Sequence, residues 1–266
     1  MTELLLVPIV LGLIEGITEF LPVSSTGHLI VAGHLLGFQG PRAATFEVFI
    51  QLGAILAVVW EFRRTLFAAV LGLGREPASF ILARNLALGF LPAAIMGFLF
   101  NDLIDTYLFG PITVAGALIV GGFVMLAIEW AKPAATIQTS PEIPASRALA
   151  IGCAQTLALF PGVSRAAATI MGGMVAGVER KAATEFSFYL AIPTMFAASG
   201  YKLLHSWKEL SASDLPLFSI GFVVAFASAL VAVRVFIRYV GTHDFRPFAW
   251  YRIVFGAVVL ALFWPK

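Results

Sequence analysis

The chain reads as a succession of apolar runs with polar residues gathered at their ends. Runs over 44–60, 81–100, 111–131, 186–204, 215–237 and 248–264 are each long enough to cross a bilayer as a helix, given some tilt. Between them lie the polar segments Glu61–Arg84, Asn101–Gly110, Lys132–Arg147, Val178–Lys181, Lys202–Asp214 and Arg238–Pro247. Two further apolar stretches are interrupted in the middle: residues 1–40 break at Leu21-Pro22, and 148–175 break at Pro161-Gly162. Their arms are too short or too polar to cross alone, so each stretch predicts a re-entrant helical hairpin. Broken backbone at membrane depth is tolerated only where it lines a polar cavity.

Composition fits that pattern. Hydrophobic residues make up 60% of the chain and charged ones 12%, with a mean hydropathy of +0.94, whereas a soluble domain carries about 25% charged residues. The expected fold is an all-α integral membrane protein with six transmembrane helices and two re-entrant hairpins, one polytopic domain over 1–266 in contact with membrane lipids. A net charge of +2 without a basic tract gives no footing to a nucleic-acid partner. The lone Cys153 excludes a disulfide framework and a Cys-rich metal site. The N-terminus has neither the charged region nor the cleavage site of a secretory signal, so it is expected to remain in the mature protein.

Cations set the orientation. Arg63, Arg64, Arg75, Arg84, Lys132, Arg147, Arg180, Lys181, Arg238 and Arg246 fall on one side of the predicted topology; Arg42, Lys202, Lys208 and Lys266 fall on the other. The positive-inside rule then puts both termini outside, with the first hairpin entering from outside and the second from inside. A weak internal repeat agrees. Pro22-Val23-Ser24-Ser25 can be laid on Pro161-Gly162-Val163-Ser164 with one gap, which brings Glu47 near Glu185. Each half, about 1–131 and 145–266, is a hairpin followed by three spans. Three is odd, so the halves sit inverted, an arrangement that places a polar site where the broken helices meet.

The polar residues at the breaks carry the chemistry. Glu15 and Glu19 lie one helical turn apart, where like charges repel. At membrane depth they must share a proton, hold a cation or face an arginine; the alternative is a helix end in interfacial water. A hard divalent cation suits such oxygens and bridges to phosphate. Ser24, Ser25 and Thr26 follow Pro22 and read either as a helix cap or as an anion site at a helix N-terminus with a hydroxyl nucleophile. His28 is then either structural or the base and acid of that nucleophile. His34, His205 and His243 have no such company and are expected at the interface. Arg165, after Pro-Gly-Val-Ser in an otherwise uncharged stretch, demands a partner and suits bidentate contact with phosphate, helped by Ser164 and Thr169. Arg252 beside Tyr251 is either part of that site or an aromatic-belt anchor. The set points to phosphoryl chemistry on a lipid. Acyl transfer fits poorly because no acid is placed to orient His28. No P-loop or GxGxxG fingerprint is present to hold a nucleotide.

At these residues the chain resembles the undecaprenyl pyrophosphate phosphatase family, also called the bacitracin-resistance proteins, over essentially its whole length. The family's Glu-x-x-x-Glu and Pro-Val-Ser-Ser-Thr-Gly-His run stands here as Glu15 to His28, and its Pro-Gly-x-Ser-Arg-Ser-x-x-Thr as Pro161 to Thr169, with Ala166 in place of the second Ser. The resemblance implies hydrolysis of a C55 isoprenoid diphosphate to the monophosphate, recycling a carrier lipid for peptidoglycan and conferring bacitracin resistance. It also implies a bacterial inner-membrane location, a site open to the periplasm, inverted repeats with re-entrant helices, and a divalent cation, Mg²⁺ or Ca²⁺. By position, Glu15, Glu19, Ser25, His28, Ser164, Arg165, Thr169 and Arg252 carry over. The lipid phosphatases of the phosphatidic-acid type are a different group, whose Lys-to-Arg-Pro motif is not found here.

Both lines combine into one expected mechanism. Arg165 and the hairpin N-termini clamp the diphosphate, Glu15 and Glu19 hold the cation, Ser25 attacks or positions water, and His28 manages the proton. Ser24, Thr26, Ser164, Thr169 and Arg252 are expected to touch the polyprenyl diphosphate. The rival reading is a transporter, since inverted repeats with broken helices also support alternating access. The Gly116–Gly122 surface suits helix packing within one chain or between two copies in a homodimer.

Overall fold

The computed structural model describes residues 2–108, 110–206 and 211–264. Lys208 and Lys266 lie outside these, as does the side chain of His205. Eleven α-helices account for nearly all of the described residues: α1 (Thr2–Thr18), α2 (Ser25–Leu35), α3 (Pro41–Glu61), α4 (Arg63–Leu71), α5 (Pro77–Tyr107), α6 (Pro111–Ala131), α7 (Ala145–Gln155), α8 (Arg165–Val175), α9 (Arg180–Ser206), α10 (Leu215–Val240) and α11 (Arg246–Phe263). The starts of α3, α5, α6, α10 and α11 carry Pro in the first turn, where its missing N–H is harmless.

Among the described residues, five helices are long and apolar enough to cross a membrane: Pro41–Glu61, Pro77–Phe100, Pro111–Ala131, Leu215–Val240 and Arg246–Phe263. This is a multi-pass membrane protein. The expected span 186–204 lies inside α9, which has the length but does not reach the hydropathy of the other five. Its Thr184, Ser187 and Ser199 are buried polar residues that face the protein interior. The segment Glu61–Arg84, expected to be a loop, contains α4, whose Phe67, Val70 and Leu71 are exposed.

Chain direction alternates through the long helices, and ion pairs mark the two ends. At one end Arg42, just inside α3, pairs with Asp214, just before α10. At the other, Glu129 near the end of α6 accepts Arg180 Nη2 at 2.7 Å, from the start of α9, and the Phe245 N–H at 2.9 Å, ahead of α11. Arg234 joins Glu61 there at 2.6 Å. The described cations of the loops divide between these ends as the alternation requires.

The helix pairs are reciprocal. α1 packs on α10 and α7 on α5; α3 packs on α10 and α9 on α5; α3 meets α9, and α6 meets α11. Without water to drive association, helices in lipid approach through small residues. A Cβ on Gly12 of α1 would stand 2.7 Å from the Gly221 carbonyl of α10, and one on Gly152 of α7 would stand 2.6 Å from the Gly89 carbonyl of α5. The Gly116–Gly122 stretch divides: Gly121 and Gly122 pack against Arg252 and Ile253 of α11 within this chain, while Gly116 faces open space. The arms α2, α7 and α8 have 11 residues each, so each rises only about 16 Å, half the roughly 30 Å hydrocarbon core.

Candidate active site

Each interrupted stretch turns at a strained serine. In the first, Ser24 has φ 70° and ψ 98°; in the second, Ser164 has φ 74° and ψ 119°. An L-residue held there costs about 1–3 kcal/mol and persists only where its surroundings over-determine it. Ser164 is fixed by its own Oγ, which accepts the Ala167 N–H at 3.2 Å. Ser24 makes no such cap. Its carbonyl instead accepts His28 Nδ1 at 2.7 Å.

The α8 N-terminus brings Arg165 to the first hairpin. Its Nη2 lies 3.4 Å from Glu19 Oε1, while Glu19 Oε2 accepts the Ser25 hydroxyl at 2.6 Å. One buried carboxylate thus links a hydroxyl on its own hairpin to a guanidinium on the other. Arg165 Nη1 donates to the Ser187 carbonyl at 3.1 Å and to Ser187 Oγ at 3.3 Å, and its Cζ lies 5.6 Å from the Phe20 ring centroid. Glu15, one turn back on α1, is 1% exposed. Glu15 Oε1 and Arg165 Nε are both buried without a hydrogen-bond partner. Buried polar atoms are rarely left so; they leave one acceptor and one donor of the set unsatisfied.

A cleft of about 420 Å³ reaches Thr26, the neighbour of Ser25 in the chain, with Gln51 and Pro161, and runs between α5 and α9; Glu15, Glu19, Ser25 and Arg165 are not among its lining residues. Phe90, Ala93, Gly97 and Ala197 line its walls, and Ile104, Tyr201 and Lys202 lie at its far end. That far end is the one marked by the Arg42–Asp214 pair.

Three expected site residues sit elsewhere. Arg252 is 0% exposed and directs all five of its N–H donors at backbone carbonyls. These are Leu118 (3.4 Å), Pro22 (3.1 Å), Val163 (2.9 Å), Ala117 (3.3 Å) and Gly162 (3.0 Å). No donor remains for a substrate, and a buried side chain is no belt anchor; Arg252 staples both hairpin turns to α6. Thr169 is also fully buried: its hydroxyl is shared among the Arg165 and Ala166 carbonyls and Ser187 Oγ, the last at 2.6 Å. It fixes the serine that holds Arg165. His28 makes no bond to Ser25. Its Nε2 meets the Tyr251 hydroxyl at 2.6 Å and its ring stacks on Phe255 at 4.2 Å. The Ser25 proton therefore faces Glu19. Ala166, where the family pattern has Ser, is buried away from the cleft lining. His34 and His243 are exposed at helix ends.

Ser187 and Gln51 escaped the sequence reading. Each lies outside the two motifs, in a helix with other scattered polar residues (Thr45 and Glu47 in α3, Thr184, Thr194 and Ser199 in α9), so no pattern singled it out.

This is thus a multi-pass helical membrane protein in which two broken stretches bring acids, a hydroxyl and a guanidinium together. The family model for bacitracin resistance protein BacA matches residues 8–258, and the chain belongs to that family. It is 53% identical to the undecaprenyl-diphosphatase of Ectopseudomonas mendocina over 253 residues, 95% of this chain and 92% of that protein. It is 52% identical to the undecaprenyl-diphosphatases of Dechloromonas aromatica, covering 97% and 94%, and Methylobacillus flagellatus, covering 98% of each.

Proposed function

We propose that the protein is an undecaprenyl-diphosphate phosphatase, which releases inorganic phosphate from the C55 isoprenoid diphosphate and returns the monophosphate carrier to peptidoglycan synthesis. Abundant enzyme would thereby confer resistance to bacitracin. The observation that carries the reading is Glu19 bridging Ser25 Oγ and Arg165 across two hairpins. The names of the relatives point the same way.

In this mechanism Ser25 Oγ attacks the terminal phosphorus as its proton passes to Glu19 Oε2. The bond from that phosphorus to the bridging oxygen breaks, and the lipid monophosphate leaves. Water then hydrolyses the phosphoserine. Arg165, through its open Nε edge, and the N–H groups at the start of α2 and α8 take the phosphate charge. Such positioning and neutralisation are most of what phosphoryl transfer asks of a protein. Glu15 and Glu19 fit a Mg²⁺ or Ca²⁺ ion by donor type, and Glu15 Oε1 has no protein partner. No group of three or more His, Cys, Asp or Glu suited to a metal occurs among the described residues, so substrate oxygens would complete its shell. When bound, the cation neutralises charge on the diphosphate.

The finer architecture belongs to the same proposal. α9 is a sixth crossing, α1–α2 and α7–α8 are re-entrant hairpins, and the halves 1–131 and 145–266 are inverted repeats. The reciprocal helix pairs and the matched serines at φ 70° and 74° support this. The cation-rich end lies in the cytoplasm of a bacterial inner membrane, so the cleft opens to the periplasm. Purified protein in liposomes with undecaprenyl diphosphate provides the test: Ser25→Ala is expected to lower phosphate release by at least about 10³-fold. Near-normal turnover would reject the role of Ser25, and head-group crossing without phosphate release would make the protein a transporter.

A further inference from the structure

Tyr251 is 45% exposed on α11, in the position of an ordinary aromatic anchor. Its contacts are more specific. The hydroxyl lies 2.6 Å from His28 Nε2, and the two rings are parallel to within 2°. Phe255 stacks on the imidazole at 4.2 Å with an interplanar angle of 14°, and its ring lies 5.8 Å from that of Tyr251. The ring is thereby held in one plane with both nitrogens occupied.

The partners decide the tautomer. A carbonyl oxygen only accepts, so His28 Nδ1 carries the hydrogen it gives to Ser24 O at 2.7 Å. In the neutral ring Nε2 is then the acceptor, and Tyr251 donates. The Ser24 carbonyl belongs to the strained residue at φ 70° that aims Ser25 at Glu19. In the second hairpin the residue four places after the strained serine is Ala168 rather than His, because Ser164 caps its own helix. Ser24 lacks that cap, and the His28–Tyr251 pair takes its place.

We infer that Tyr251 is a positioning residue for the phosphatase reaction proposed above: its hydroxyl, donating to Nε2, anchors the His28 ring so that Nδ1–H stays on the Ser24 carbonyl, which holds Ser24 in its strained conformation and so keeps Ser25 on Glu19. The inference rests on the phosphatase reading and adds to it. Without the hydroxyl, Nε2 loses its donor, the ring loses its second anchor, and the bond from Nδ1–H to the Ser24 carbonyl weakens.

The test uses full-length protein in liposomes with undecaprenyl diphosphate, together with ¹⁵N spectra of histidine-labelled protein in micelles. Tyr251→Phe keeps the ring stack and removes only the hydroxyl. The expected result is a kcat about tenfold lower, the rate equivalent of one hydrogen bond, with KM within about twofold. The His28 Nε2 resonance should shift to that of a ring nitrogen without a hydrogen bond. In a His28→Asn background, adding Tyr251→Phe should change kcat by less than about twofold, since the coupled path is already cut. An unchanged His28 Nε2 resonance in Tyr251→Phe, wild-type kcat, a parallel change in KM, or multiplicative effects in the double variant would each overturn the inference. Ser25→Ala run alongside separates the two readings: if it stays inactive while Tyr251→Phe behaves as wild type, only the role of Tyr251 fails.

Discussion

The two hairpins share a backbone and divide the chemistry. Both turn at a serine with positive φ and both start an 11-residue helix immediately after it. At the first position of that helix, however, α2 carries Ser25 and α8 carries Arg165. The first hairpin thus supplies the hydroxyl and the acids, and the second the fixed cation. Their means of support differ accordingly. The second caps its own helix through Ser164, with Thr169 and, from α9, Ser187 bracing Arg165. The first lacks that cap and relies on α11 for His28's partner, while Arg252 covers carbonyls of both turns. On the proposed repeat, one copy of the turn specialises in nucleophile and acid, while the other keeps the simpler cap and provides charge.

That division is broken most severely at Glu19, the one side chain that touches both hairpins' working groups. Glu19→Gln keeps the size and an oxygen for the Ser25 hydroxyl but removes the charge that receives its proton and faces Arg165. Phosphate release is expected to fall by about 10²–10⁴-fold, the range of a lost general base, with thermal stability in detergent little changed. Turnover within about tenfold of wild type would put the proton elsewhere and return His28 to consideration.

Arg252 tests what the hairpins have in common. Its guanidinium covers the Pro22, Gly162 and Val163 carbonyls together with two on α6. Arg252→Lys keeps the charge but has only three donors and no planar fork. Two carbonyls lose their partners, and the protein should be less stable by about 3 kcal/mol, read as a lower melting temperature in detergent micelles. Activity should fall along with it, because both turns loosen. A full-activity, full-stability Arg252→Lys enzyme would mean that the hairpins hold their conformations without the staple.

The sequence disclosed the plan of the molecule better than its details. Apolar run length located five crossings, and the breaks at Pro22 and Pro161 located both turns, because these are local properties of the chain. The limits of α9 were harder to read: Ser187 and Ser199 serve the interior and lower the apolar signal of the very helix that supports the site. For the site itself, motif membership found every residue near the breaks but not what each one does. Arg165 and Arg252 are both lone arginines in apolar runs, and only the fold gives one a carboxylate and the other five carbonyls. His28 stands three residues after Ser25, yet helix geometry aims it at the carbonyl of Ser24 and at α11. A side chain's direction depends on its neighbours across the bundle, which spacing along one helix cannot encode.

The smallest expected effect falls on the hairpin that caps its own helix. Thr169 touches no cleft atom; its hydroxyl lies 2.6 Å from Ser187 Oγ, whose own oxygen is 3.3 Å from Arg165 Nη1. Thr169→Val preserves the shape and removes the hydroxyl, leaving Ser187 to rotate. Arg165 keeps its bond to the Ser187 carbonyl and its contact with Glu19, so the guanidinium should shift without being lost. A decrease in stability of about 1 kcal/mol follows from one buried hydrogen bond, with a fall in kcat of no more than about fivefold. In the proposed mechanism Arg165 binds substrate in both ground and transition states, so KM should rise with it. This is the opposite of the kcat-only signature expected from the first hairpin's Tyr251→Phe. Steady-state kinetics on the two variants side by side would show whether the hairpins divide the work as acid-hydroxyl and cation: identical signatures from both would mean that they act as a single structural unit.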